Sequence, residues 1–506
     1  MTIHIKGAKI IAMDAAHGSD CFDGDILIED QRIVAMGAAL PEAQADVVID
    51  GHDKLVTPGF VNAHIHTPEA LFRGRYENMP LEMWMTLAYF LVGDGQLAPR
   101  ALYLRSMLVA MDALRNGVTF LADDILEPPL QSMETLGCIF QAYEDVGIRA
   151  NISGHVIDRP IADTIPFFSE VLPDDLLAQV NANKPPTVAD YVAFATEAFS
   201  LYHGGADGRL RFMVAPSGPQ RCTVELMEAA DEMARAHGTC FHTHIVESKI
   251  QAVAGQEFYG KTLVQYMHDL GLLNRNTTIA HGVWTTDEDI ALLAAAKCSV
   301  VHNSLSNMKL SSGIAPIRKM IDAGVNVAIG TDGLSTSDTP RMFDAMRTAA
   351  HMHSVTTGDY EAWLGAHEVL HAATMGGAYS ALLEDDIGSL EIGKKADLVI
   401  MDLRNANFVP FNVARNHLVY CENGSSVETV IVDGEIVVRD GLLTKVDEDA
   451  LLDEFRALAP ELLAKHAPQE ERNQAFIPYL QEVYKRCAAV DLGIHRYGGA
   501  NMPAWP

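Results

Sequence analysis

Eight short apolar runs, at 60–66, 118–125, 149–156, 210–216, 239–246, 277–283, 299–304 and 326–331, are separated by stretches long enough to hold helices. Strands that pair in parallel need a crossover of a dozen or more residues, usually helical. Parallel strands are covered on both faces, so they read as continuous apolar runs and not as strict alternation. Stretches such as 224–237 and 286–296 carry helical spacing between the runs. Eight strand–helix units predict an α/β fold, a (β/α)8 barrel over residues 58–384. The connection from 157 to 207 exceeds a simple loop and predicts extra helices near the barrel mouth.

The chain ends differ from this pattern. Residues 1–57 hold β-branched runs at 3–11, 25–29 and 32–37, cut by Gly and Asp turns, and the texture returns at 396–402 and 427–438 with a turn at Asp433-Gly434. Both pieces, 1–57 and 385–445, are expected to form one small composite β-sandwich domain. Residues 446–506 are expected to be a helical C-terminal extension, with helices over 448–466 and 469–488. Its apolar end, with Met502 and Trp505, is expected to pack at a subunit interface or near the pocket mouth.

Composition narrows the partners. The 506 residues include 67 Asp and Glu against 37 Lys and Arg, a formal charge of −30. Phosphate neutralisation needs clustered cations, so nucleic acid is excluded as a partner, and so is an anionic membrane surface. Seven scattered cysteines without a CxxC pair point to reduced thiols and not to a disulfide frame. With no signal-peptide core in residues 1–10 and no apolar run of membrane-spanning length, the expected location is the cytoplasm. A homodimer or homotetramer is expected.

Histidines at strand ends carry the chemistry. His64 and His66, spaced i, i+2, share one strand face. His244 ends the fifth run, His281 the sixth, and Asp332 follows the eighth. Active sites of such barrels lie at the C-terminal strand ends. Several imidazoles and one carboxylate around an open position are what a hydrolytic Zn²⁺ or Fe²⁺ site requires. A single strand-end His is more often structural, and His242 is read that way. Asp123 and Asp124 are read as hydrogen-bonded structural carboxylates, and His351 and His353 as surface or packing residues. His367-Glu368-Val369-Leu370-His371 fits the H-E-x-x-H zinc-peptidase pattern, but the bare pattern is weak evidence and falls in the last barrel helix.

Thr57-Pro58-Gly59-Phe60-Val61-Asn62-Ala63-His64-Ile65-His66 resembles the opening signature of the amidohydrolase superfamily. His244-Ile245-Val246-Glu247, Ala280-His281-Gly282, His302-Asn303-Ser304-Leu305-Ser306-Asn307 and Gly330-Thr331-Asp332-Gly333 resemble later motifs of its triazine hydrolase and purine-type deaminase branch. The resemblance covers roughly residues 1–445. It implies one divalent metal, Zn²⁺ or Fe²⁺, on His64, His66, His244 and Asp332. It implies that His281 polarises water or substrate and that Glu247 shuttles the proton. The metal would lower the pKa of its water toward about 7. The resulting hydroxide would attack an electron-poor ring carbon, with Glu247 protonating the ring nitrogen and then the leaving amine. No lysine ends the fourth run, which favours one metal over a binuclear site.

The same resemblance frames the substrate. Leu81-Glu82-Met83-Trp84 is similar to the segment that sets an aromatic over the purine, so Trp84 is a stacking candidate. Two features depart from the nucleoside deaminases. Gly93 and Asp94 occupy the region of a ribose-binding Glu, and Ser217 follows Ala215-Pro216 where those enzymes carry a His. Gln220 and Arg221 are candidates for ring heteroatoms or a carboxylate. Arg73, beside Phe72, together with His302 and Asn303, completes the substrate-contact candidates. The expected activity is hydrolytic deamination of a planar nitrogen heterocycle: a purine, pterin or triazine. The alternatives are triazine dechlorination or dealkylamination, urea or amide C–N hydrolysis, a non-catalytic barrel scaffold, and the zinc peptidase.

Overall fold

The β-rich ends of the chain meet in one sheet. The computed structural model describes residues 1–41, 44–90, 97–127 and 131–498. Nine strands, from Thr2–Ile11 to Leu442–Leu443, share hydrogen bonds across the two ends. The join is antiparallel, with Val56 of Lys54–Pro58 facing Ile400 of Leu398–Asp402. Ile3, Ile5, Ile26, Val56, Leu398 and Ile400 form part of a core of its own. At the expected turn Val432 faces Glu435, and Asp433 and Gly434 both have positive φ, 53° and 77°. That geometry matches the right-handed twist of a two-residue hairpin, and Asp-Gly is its preferred sequence.

Between the ends lies the barrel. Its parallel strands are Phe60–His66, Val118–Asp123, Arg149–Val156, Leu210–Pro216, Phe241–Ile245, Thr277–His281, Ser299–His302 and Asn326–Ile329, neighbours in chain order. Closure falls to Asp332–Gly333, just past the eighth strand, where Asp332 pairs with Ile65 and Gly333 with His66. Every residue from Phe60 to Ile65 is buried, as a strand covered on both sides must be.

Local sequence sets the helices. Val224–His237 starts on Thr223, whose side chain accepts from the Leu226 N–H, and stops at Gly238, which takes the left-handed conformation (φ 58°) open to glycine. Ser248 caps Lys249–Tyr259 in the same way. The 157–207 connection holds the expected helices, including Asp174–Ala182 and Val188–Tyr202.

The C-terminal extension differs in its break point. The first helix runs from Glu448 through Pro460 and Pro468 to Asn473, and the second is Ile477–Ala489. Packing overrides the proline signal. Glu454 takes a two-pronged bond from Arg100 (2.7 and 2.5 Å), and the His466 ring lies 4.3 Å from Phe72. Arg149, on the third strand, donates to Asp397 (2.7 and 2.9 Å) and to Asp433 (3.1 Å), fastening the barrel floor to the sheet. No helix among the described residues is long and apolar enough to cross a membrane. Gly93, Asp94, Met502 and Trp505 lie outside the described residues.

Candidate active site

The C-terminal strand ends bring the imidazoles to one point. His66 Nε2 lies 3.2 Å from His244 Nε2 and 3.5 Å from Asp332 Oδ1. His64 Nε2 lies 3.3 Å from the same oxygen, and His281 Nε2 is 3.7 Å from Asp332 Oδ2. The Nε2 atoms face one another because the Nδ1 atoms are engaged outward. His66 Nδ1 bonds the Asp124 carbonyl (2.6 Å), His244 Nδ1 the Ser217 carbonyl (3.2 Å) and His281 Nδ1 the Asn307 side-chain oxygen (2.9 Å). His64 Nδ1 pairs with His242 Nε2 at 2.8 Å. Such outer partners fix tautomer and ring direction in metal sites.

The backbone bends sharply where these side chains are aimed. His281 and Asp332 have φ of 75° and 66°, each costing about 1–3 kcal/mol for a residue with a Cβ. Gly333 follows because nothing larger fits: a Cβ there would fall 1.8 Å from the Glu69 carboxylate.

The residues fit a divalent cation. His64 Nε2 is buried and makes no hydrogen bond. Burial lowers the His64 pKa to about 4 and that of His244 well below its usual value, so both present neutral lone pairs. Burial opposes charge on His66 too, but the Asp332, Asp124 and Glu69 carboxylates outweigh it and raise its pKa to about 9. Burial would raise Asp332, yet His281, His64 and His66 together hold it below the carboxylate range. Three imidazoles and a carboxylate converging this closely form a donor set that a divalent cation would bind.

Glu247 flanks this cluster, with Oε2 3.7 Å from His281 Nε2. Burial first, then the Asp332 and Glu82 charges, pushes its pKa well above the usual range. An upward shift is the direction that suits a proton-shuttling carboxyl.

Two joined cavities open over the cluster. The inner one, about 40 Å³, is bounded by the metal-site groups, Glu247, Trp84 and Leu310. The outer one, about 180 Å³, lies between Glu82, Ile161, Val180 and Pro186. Met85, Tyr89, Leu126, His155 and Arg221 belong to both. The inner cavity admits the attacking water, and a ring lying against Trp84 and Leu81 extends from it toward the outer one.

Trp84 faces the inner cavity, pinned by its Nε1–H bond to Ser335 Oγ (3.0 Å). Arg221 also reaches it, with bonds to Ser217 Oγ (3.2 Å) and to the Met85 sulfur (3.4 Å) and no ion pair among the described residues. The other four substrate-contact candidates lie outside both cavities. Arg73 is exposed and pairs with Asp112 at 3.0 Å, because the Thr67–Phe72 turn swings it toward the Pro99–Arg115 helix. Gln220 is buried, and neither cavity includes it. His302 packs outward on the ring of His353, 3.2 Å between Nε2 atoms. Asn303 lies behind His281, 3.4 Å from its ring nitrogens, and touches that imidazole instead of the cavity.

Asp123 accepts from Thr67 and Tyr143, a structural role. Asp124 sits closer to the chemistry than its structural reading implied. It binds Ser153 and His155 and comes 3.9 Å from His244 Nδ1. The H-E-x-x-H residues are elsewhere: His367 bonds Ser19 (2.8 Å), and Glu368 is clamped by Arg318 at 2.6 Å. Among the described residues no metal-holding group includes them.

Sequence reading missed three residues. Glu69 is buried, bonds Ser335 (2.9 Å) and Tyr89 (3.1 Å), and is raised by burial to about 7. Glu82 and Tyr89 line the cavities. The only available signal was an acid inside an apolar segment, as at Leu81-Glu82-Met83-Trp84, where a buried charge needs a reason.

The chain is similar to known proteins in sequence and fold. The profile of the amidohydrolase family matches residues 55–437. A 5'-deoxyadenosine deaminase of Methanosarcina acetivorans is 33% identical over 463 residues, 92% of this chain and 99% of that protein. A 5-methylthioadenosine/S-adenosylhomocysteine deaminase of Caldanaerobacter subterraneus is 33% identical over 92% of this chain and 99% of its own. Among solved structures, the atrazine chlorohydrolase of Arthrobacter aurescens complexed with zinc superposes with a TM-score of 0.82 at 26% identity, covering 90% of this chain and 100% of that one. An adenosine deaminase of Xanthomonas campestris with bound zinc gives 0.79 at 26%, covering 91% and 98%. With its profile, its relatives and its converging histidines in agreement, the chain belongs to the amidohydrolase family.

Proposed function

We propose that the protein is a metal-dependent aminohydrolase that deaminates a planar nitrogen heterocycle. One observation carries the reading: a buried carboxyl, Glu247, stands beside a histidine–aspartate cluster in a cavity walled by Trp84. His64, His66, His244 and Asp332 would hold one divalent ion, and zinc in the solved relatives favours Zn²⁺ over Fe²⁺. Such an ion supplies a water of lowered pKa, nucleophilic at neutral pH.

The chain's own residues do the rest. Trp84 and Leu81 cover the ring, and Arg221 donates to a ring nitrogen or carbonyl oxygen. Glu247 gives its proton to the ring nitrogen next to the attacked carbon, takes one back from the water, and delivers it to the departing amine. His281 holds its Nε2 toward the developing oxygen, fixed by Asn307. Asp332, ionised by its histidine neighbours, steadies the water. Chloride leaves as an anion and needs no proton, so Glu247 favours amine over halide departure.

Names of the relatives support an adenine-type ring, and a nucleoside-like substrate with its substituent in the outer cavity is the finer proposal. In this reading residues 58–384 are the catalytic unit, 1–57 and 385–445 its companion domain, and 446–506 an added wall. Ammonia release across purines, their nucleosides, pterins and triazines, alongside metal analysis, tests the proposal. We expect about one equivalent of metal and ammonia from at least one class. Active protein without metal would sink it.

A further inference from the structure

The C-terminal extension lies against the walls of the cavities. Its second helix buries Leu480, Val483 and Cys487 in one apolar cluster with Met83, Phe168 and Val253. These partners come from the segment beside Trp84, from the 157–207 insertion, and from the helix after Glu247. Further on, Arg496 donates to the Val283 carbonyl (3.0 Å), and the Ile314 N–H donates to the Arg496 carbonyl (2.7 Å). The extension thus ties together elements that follow the fifth, sixth and seventh strands.

A buried polar contact crosses the apolar layer. The Tyr484 hydroxyl donates to Glu82 Oε2, while Ser248 Oγ donates to Glu82 Oε1 at 2.7 Å. Glu82 is 3% exposed, lines the outer cavity, and forms no ion pair among the described residues. A buried carboxylate is costly unless donors surround it. An ionised carboxyl offers about four acceptor sites, and two donors leave the others free. Arg221, on the same cavity, is a buried cation that also lacks an ion pair among the described residues. A carboxyl and a guanidinium on one cavity, neither in an ion pair among the described residues, suit a ligand carrying a donor beside an acceptor.

We propose that Glu82 accepts a hydrogen bond from an N–H or O–H of the substrate, and that Tyr484 is a positioning residue that aims it. The C-terminal extension then completes the substrate site from within the same chain. The kinetic half of this inference rests on the aminohydrolase reading; the positioning half does not.

The test uses the full chain with Tyr484→Phe, Glu82→Gln and the double variant. A hydrogen bond to a charged group is worth roughly 1.5–3 kcal/mol, so we expect KM to rise about tenfold or more in Tyr484→Phe. We expect kcat to stay within about twofold, metal content to stay unchanged, and the double variant to be no worse than Glu82→Gln, since Tyr484 acts through Glu82. Amide hydrogen exchange should quicken over Leu81–Met85 and stay slow over Ile477–Ala489. Unchanged KM, additive effects, or exchange that quickens only in the 477–489 helix would overturn the proposal. If the wild type releases no ammonia from any ring, the function reading fails, and exchange over Leu81–Met85 still decides whether Tyr484 holds Glu82.

Discussion

Glu247 and Arg73 mark the two extremes of what a single residue does here. Glu247 is buried, raised above the ordinary carboxyl range, and 3.7 Å from His281. Glu247→Gln keeps its shape and its backbone bond to Gln251 but cannot exchange a proton. We expect metal content to be unchanged and kcat to fall by about 10²–10⁴, as loss of a positioned acid–base group does; metal analysis with steady-state ammonia release checks it. Arg73 makes only a part-exposed pair with Asp112, of a kind worth about 0–1 kcal/mol. Arg73→Ala should leave kcat and KM within about twofold. The paired His367→Ala and His371→Ala variant should keep its metal, because those rings face Ser19 and a separate cavity. Loss of metal there would relocate the site.

Elements are set by local sequence where caps are strong and by packing where they are not. Thr223, Ser248, Gly238 and Gly260 place two barrel helices from the sequence alone. The Glu448–Asn473 helix ignores Pro468 because its neighbours hold it. His466 is one of those contacts, buried against Phe72 and bonded to the Tyr76 hydroxyl at 3.2 Å. Burial lowers its pKa to about 4, below the 6.5 of an exposed imidazole, against a smaller upward pull from Glu470. The folded state then binds the proton less readily than the unfolded one. This contribution is complete above pH 6.5 and is lost as pH falls toward 4. We expect Tm to drop over that window, and to drop less in His466→Gln; parallel melts at pH 7 and pH 5 check it.

At the scale of the whole molecule, barrel and sheet are joined through Arg149. Its guanidinium is 5% exposed and holds Asp397 and Asp433, which are more buried still. Removing one partner of a buried pair leaves uncompensated charge, at a cost of about 3–5 kcal/mol. Arg149→Leu is expected to lose stability on that order in denaturant unfolding, with the sheet and barrel no longer melting together. Of the 67 acids, those given chemistry or substrate contact are Glu247, Asp332 and Glu82.

The sequence by itself determined the barrel, because parallel strands must be apolar on both faces and must alternate with helices. It determined where the imidazoles gather, because i, i+2 spacing on a strand leaves His64 and His66 on one side. It placed strands at both ends of the chain through their β-branched texture, and these share one sheet. Only the tertiary structure decided which neighbours look into the cavity. Arg73 and His302 sit next to functional residues in sequence, yet a turn and the strand's two-residue period point them away. Glu69 belongs to no motif, and Glu82 carries no role in the one that contains it. They gain their place from Ser335 and Tyr484, 266 and 402 residues distant. Side-chain direction at a loop and contact across such separations depend on how the whole chain packs, which local periodicity does not encode.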